Sequence, residues 1–306
     1  MNLVEIRKKI ASTRNTRKIT QALRLVAANK MRRFQRKAES TRAFSWSLLE
    51  GMHQARMEHM PYAQPREKGK TLFIIVTSDK GLCGALNARL LRLVLQSPKW
   101  NALPPEDRLV LTVGRKSAEA ARRLGWNSAG AFEGVKEDLT PLDALPIVDR
   151  VLALWNDGTV REAVLVSPHY VNAFTAYPTE KTYLPFSEAM ARSHLRWRDP
   201  ETADRNDPEA SVPAPHAHAA SDLIFQEPSP ERVRQALADQ LIQAMFLQAF
   251  YELKASEYSS RMVSMKKATE AADDMIRSLT LSYHKARQAA ITQSLAELAA
   301  AGQAVT

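Results

Sequence analysis

Apolar and small residues recur at alternating steps of three and four near both ends of the chain. Toward the C-terminus Met262, Met265, Thr269, Ala272, Ile276, Leu279, Tyr283, Ala286 and Ala290 keep this spacing over four heptads. Toward the N-terminus Met31, Phe34, Ala38, Thr41, Ser45, Leu48 and Met52 keep it, with Ile19, Leu23 and Val26 ahead of them. Such spacing marks the seam of a coiled coil. From Asn2 to His59 the one helix breaker is Gly51, and Pro61 and Pro65 then stop the pattern. That span predicts a rod of about 85 Å. The second rod opens on Ser229-Pro230-Glu231, which reads as N-cap, first-turn proline and first-turn acid, and it meets no Gly or Pro until Gly302. It predicts about 105 Å of helix. Helices this long need a partner along their length. Each rod therefore predicts the other.

The seams are rich in Ala, Thr and Ser, which let two helices approach closely but bury less apolar area per turn than leucine would. Marginal stability at the tips is the consequence. Between the rods the period changes. Lys70–Thr77, Leu109–Val113, Ala163–Ser167, Lys181–Phe186 and Leu223–Phe225 read as strands, and Asn87–Leu95, Arg115–Leu124 and Pro146–Trp155 as helices. Alternation of this kind predicts a small α/β domain around a mostly parallel sheet. Residues 198–220, with four prolines and almost no large apolar side chain, read as a flexible surface loop. His216 and His218 in that loop lack acids at ligand spacing, so no metal is expected there.

Charge alters the picture once it is located. Residues 1–60 hold 14 Lys/Arg against 4 Asp/Glu, and this excess equals the +10 of the whole chain. A basic helix of this kind suits nucleic acid, anionic lipid, an acidic protein surface or plain solvent. No aromatic interleaving or recognised nucleic-acid module accompanies it, so nucleic acid is not the expected partner. No apolar run reaches 18 residues, and Met1 leads directly into charged helix, so neither a membrane span nor a leader is expected. The single cysteine, Cys83, leaves no internal disulfide and suits a reducing compartment.

Catalytic patterns are missing from the sequence. The turn Thr77-Ser78-Asp79-Lys80-Gly81-Leu82-Cys83-Gly84 lies between a strand and a helix, where phosphate loops sit, but it lacks both the Walker and the dinucleotide glycine spacing. It reads as a structural turn. No zinc-protease, nucleophile-elbow, Cys-x-x-Cys or EF-hand pattern occurs either. A mechanical or scaffolding protein is the class that remains: two long paired helices with an α/β domain inserted between them.

Particular stretches point further. Ile6-Arg7-Lys8-Lys9-Ile10, running on to Ala27-Ala28-Asn29-Lys30-Met31, resembles the first helix of the gamma subunit of F-type ATP synthases. The Thr77–Gly84 turn with Leu86-Asn87 is similar to that family's first strand-turn-helix. Ser260-Arg261-Met262-Val263-Ser264-Met265-Lys266-Lys267-Ala268-Thr269 and Ala286-Arg287-Gln288-Ala289-Ala290-Ile291-Thr292-Gln293 are closest of all, and Glu227-Pro228-Ser229-Pro230 resembles the entry to the last helix. Residues 96–160 match only in their strand and helix pattern.

The resemblance implies an α/β fold in which the N- and C-terminal helices form a long antiparallel coiled coil around an inserted Rossmann-like domain. It divides the chain into an N-terminal helix (1–60), a globular domain (70–227) and a C-terminal helix (229–301). It further implies a rotary central stalk, without a catalytic site or cofactor of its own, on the cytoplasmic face of a bacterial inner membrane. Partners implied are the alpha and beta subunits, the epsilon subunit and the membrane c-ring. By position Leu23, Arg261, Arg287, Gln288 and Thr292 would face the alpha/beta hexamer, and Glu227 the ring and epsilon. Leu23 and Leu25 stand where many relatives carry methionine, and Ser294 where the family usually carries glutamate. The cysteine pair of redox-controlled chloroplast relatives is absent, which points to a bacterial enzyme.

Overall fold

The computed structural model describes residues 2–54, 62–195, 227 and 229–303. Its elements in chain order are α1 (Leu3–Gln54), β1 (Lys70–Val76), α2 (Leu86–Gln96), α3 (Pro98–Ala102), β2 (Arg108–Val113), α4 (Arg115–Leu124), β3 (Ser128–Phe132), α5 (Pro141–Asn156), β4 (Val160–Tyr170), β5 (Ala176–Leu184), α6 (Glu188–Leu195) and α7 (Pro230–Gln303). The chain divides into two compact units. One is globular, Lys30–Ser260; the other is helical, Met1–Asn29 with Arg261–Thr306.

The globular unit is built on a five-stranded sheet in the order β3-β2-β1-β4-β5. β1 pairs in parallel with β2 and β4, and β2 with β3, while β5 returns antiparallel to β4. The first four strands thus take the 3-2-1-4 order of dinucleotide-binding folds. Every residue of β1 from Leu72 to Val76 is fully buried, so both faces of the sheet are covered. On one face Phe73, Ile75, Val164 and Val166 meet Leu90 and Val94 of α2 and Trp100 of α3. The fourfold spacing of Leu86, Leu90 and Val94 gives α2 the single apolar stripe this requires.

The turn after β1 satisfies its own polar groups. Ser78 N–H donates to Asn87 Oδ1 at 3.1 Å, and Ser117 N–H at the start of α4 donates to Thr77 Oγ1 at 2.8 Å. Asp79 Oδ1 accepts from Arg115 N–H at 2.8 Å and Gly134 N–H at 3.1 Å. A carboxylate therefore lies at the start of α4, where the helix dipole favours negative charge. Gly114, the N-cap of α4, has φ +95°, and a Cβ there would lie 2.0 Å from Thr77 O. Only glycine fits that crossing of chain ends.

Some expected boundaries change. The helix expected at Pro146 begins at Pro141, because Thr140 and Asp143 form a reciprocal capping box ahead of it. Pro146 is carried inside the helix, near its start. The strand expected at Lys181–Phe186 starts earlier, at Ala176, because it pairs along β4 from Tyr170 back to Ala163. Pro178 is tolerated there because β5 is an edge strand. β3, α3 and α6 were not expected. The loop 198–220, with His216 and His218, and the strand Leu223–Phe225 lie outside the described residues.

Within the globular unit every residue of α7 from Ala244 to Ser259 is buried. That segment is surrounded on all sides, as a helix at the centre of a core is. Yet it carries Gln248, Glu252, Lys254, Ser256, Glu257 and Ser259.

Candidate partner-binding surface

In the helical unit α1 and α7 run antiparallel. Thr20 and Thr269, both buried, place their hydroxyls 2.8 Å apart, and Arg17 Nε lies 2.5 Å from Asp273 Oδ1. On α7 Met262, Met265, Thr269, Ala272, Ile276, Leu279, Tyr283, Ala286 and Ala290 are all buried or half-buried. This is the seam read from the sequence. On α1 the seam differs from the expected one. Ile6, Thr20 and Ala27 are buried, with Ile10, Thr13, Arg17 and Arg24 half-buried between them, whereas Ile19, Leu23 and Val26 are 60%, 38% and 51% exposed. Counting back from Met31 in strict steps of four and three gives the observed positions. The larger apolar residues sit one place off that register and face outward.

The outward face is unusual for a helix pair. Beside Ile19, Leu23 and Val26 it exposes Val4, Leu25, Met275, Leu281, Ile291 and Leu295. Interleaved with these on α1 are the exposed cations Arg7, Lys8, Lys9, Arg14 and Lys18. An apolar set this large on an exposed helix pair, rimmed by charge, marks a surface suited to being covered.

The register also shows where pairing ends. Thr20 opposite Thr269 and Arg17 opposite Asp273 bring Leu3, the first residue of α1, level with about Ala286. α7 continues to Gln303, about 25 Å further. From Ile291 to Glu297 every residue is exposed. Arg287, Gln288 and Thr292 are all exposed and lie on this extension, as does Ser294. Arg261, half-buried, opens the α7 part of the unit, and Leu23 faces outward on α1. Glu227 is exposed and belongs to the globular unit.

A second polar constellation was missed by sequence reasoning. Glu252, on the buried stretch of α7, accepts through Oε1 from Arg42 Nη2 of α1 and Gln248 Nε2, each at 3.1 Å. Its Oε2 lies 2.8 Å from His169 Nδ1 and accepts from Tyr170 N–H at 3.3 Å, both at the end of β4. Burial alone would raise its pKa, but the His169 hydrogen bond and the charges of His169, Lys181 and Arg42 hold it down at about 2. The one carboxylate thereby joins two helices and the sheet. A glutamate in a helix that reads as amphipathic rod gives no sign of burial, so the signal lay only in the tertiary contacts.

Comparison with known proteins bears on all of this. A family model described as ATP synthase matches residues 2–305. The ATP synthase gamma chain of a Synechococcus strain is 34% identical over 316 aligned residues, with 99% of each chain covered. That of Glaesserella parasuis is 32% identical with 98% of each covered. The chain belongs to the ATP synthase gamma-chain family. Solved structures share the fold. A chain of the Euglena gracilis mitochondrial ATP synthase, solved as OSCP/F1/c-ring, aligns with TM-score 0.64 at 16% identity, covering 99% of this chain and 94% of that one. A chain of the Tetrahymena thermophila central stalk and c-ring aligns with TM-score 0.56 at 21% identity, covering 82% and 99%. Among the described residues no helix of this gamma chain is long and apolar enough to cross a membrane.

Proposed function

We propose that this gamma chain is the rotating central stalk of an F-type ATP synthase, coupling ion flow through a membrane c-ring to nucleotide turnover on the beta subunits. The observation that carries it is the outward face of the helical unit, where large apolar side chains and cations are exposed on a helix pair whose seam on α1 is partly Thr, Ala and Arg. Such a surface is stable in water only when a sleeve encloses it. The alpha/beta hexamer is that sleeve. Leu23 and Arg261 meet it along the paired helices, and Arg287, Gln288 and Thr292 meet it from the extension of α7. Glu227, in the globular unit, faces the c-ring and the epsilon subunit.

Catalysis stays on the beta subunits. In this chain the turn after β1 is closed by Asp79 and Asn87, and its 3-2-1-4 sheet serves as scaffold. The complex sits peripherally on the cytoplasmic face of a bacterial inner membrane. The test is coexpression with the alpha and beta subunits of the same genome. The expected result is a stable complex containing one copy of this chain that hydrolyses ATP, while the purified chain alone does not. Failure to co-purify, or hydrolysis by the chain free of beta subunit, would overturn the reading.

A further inference from the structure

Both long helices are gripped by directional polar contacts where the globular unit ends, at Lys30 on α1 and Ser260 on α7. On α1, Lys30 pairs with Glu137 at 2.7 Å, and Arg33 and Lys37 pair with Asp138. On α7 the grip has two tiers. Glu252 forms the first, bonded at once to Arg42 of α1, to His169 and to the Tyr170 amide. Two turns on, Ser259 Oγ donates to Ala173 O in the β4–β5 turn, and Ser260 Oγ donates to Cys83 O in the turn after β1. Residues 252, 259 and 260 share one face of the helix. That face looks onto the ends of β1 and β4.

Resting on the rotary reading above, we propose that this polar collar, with Glu252 at its centre, is the joint that carries torque between the shaft and the globular unit. Apolar packing holds a helix in place but is non-directional, so it resists separation far better than rotation about the helix axis. Hydrogen bonds weaken steeply as their angle closes, so bonds from one helix face to fixed backbone groups resist turning. A buried carboxylate with cations is also a poor choice for stability alone. Well-packed apolar residues of similar volume commonly do as well or better, and the attested use of a buried ionic group is to fix register. Glu252, Arg42 and His169 are 6%, 14% and 6% exposed in their side chains, well inside the range where that comparison applies. Glu252 is a positioning residue: it touches no nucleotide and acts through the orientation of α7.

The experiment is single-molecule rotation of the assembled alpha/beta/gamma complex, the hexamer fixed to glass and a bead tethered to the globular unit through Phe174→Cys at the exposed β4–β5 turn. Torque made in the hexamer must then pass through the collar to reach the bead. Variants are Arg42→Met with Glu252→Met, which replaces buried charge by apolar volume, and Ser259→Ala with Ser260→Ala, which removes the second tier and leaves every buried charge intact. With a small bead both should turn at the parental speed. With a large bead the first should lose at least twofold in torque, the second less, and the four-residue variant more than either. A merely structural collar would lower assembly yield yet leave the torque of assembled molecules unchanged, and that result overturns the proposal. If the parent itself assembles but does not turn a bead, the rotary reading has failed instead.

Discussion

His194 offers a quantitative check on the globular unit. It is buried on α6, and its Nε2 donates to Thr182 O at 2.7 Å. Burial, reinforced by the charge of nearby Lys181, lowers its pKa from 6.5 to about 3. The unfolded chain takes up this proton near pH 6.5 and the folded chain only near 3, so stability present at neutral pH is lost as pH falls through that window. At pH 5 the unfolded state holds the proton and the folded state does not, a difference of about 2 kcal/mol. Carboxylates titrate lower, so the interval from pH 7 to 5 isolates histidine. His194→Gln keeps an N–H for Thr182 and cannot titrate. Urea unfolding followed by tryptophan fluorescence reads this unit, because Trp100 and Trp155 are buried in it. The parent should lose about 2 kcal/mol more than His194→Gln between pH 7 and 5. Equal losses would refute the assignment of the proton to His194.

Other outcomes follow from the same geometry. Gly114→Ala places a methyl against Thr77 O at a positive φ, so a loss of at least about 3 kcal/mol and poor soluble yield are expected, measured by thermal melts and expression. Leucine at Ala286 overpacks the seam by about 1–3 kcal/mol, and size-exclusion chromatography should show reduced assembly with alpha and beta subunits. Alanine at Gln288 and Thr292 removes surface hydrogen-bonding groups worth about 0.5–1.5 kcal/mol each, leaving assembly intact but slowing ATP turnover per complex. A DNA titration at physiological salt should give only weak binding that falls steeply with added salt, as expected of a basic helix face without a base-reading module.

How much of this was legible depended on whether large side chains marked the buried positions. The α7 seam could be read because Met262, Met265, Ile276, Leu279 and Tyr283 lie on it. The α1 seam could not be read from size, because Thr13, Arg17, Thr20 and Arg24 occupy it while Ile19, Leu23 and Val26 face out. Strict heptad counting from Met31 held the missing signal. β1, β2 and β4 announced themselves as apolar runs, whereas β3 is Ser-Ala-Gly-Ala-Phe, with no β-branched residue to suggest a strand. The reading of Arg287, Gln288 and Thr292 as partner-facing rests on the resemblance, and the structure adds only that they are exposed on the extension of α7. Glu252 and His169 are 83 residues apart and could be joined only by the fold.

The overhang of α7 beyond α1 has a bearing on biogenesis. From Ile291 to Glu297 every residue of the helix is exposed, and single helical stretches of this length are marginal in water. In a newly made, unassembled chain this end is the first target for a protease, since cleavage needs local opening and little holds the end closed. Enclosure by partner subunits removes that exposure. Limited proteolysis of the free chain is expected to trim this end first, and the same treatment of the assembled complex is expected to spare it.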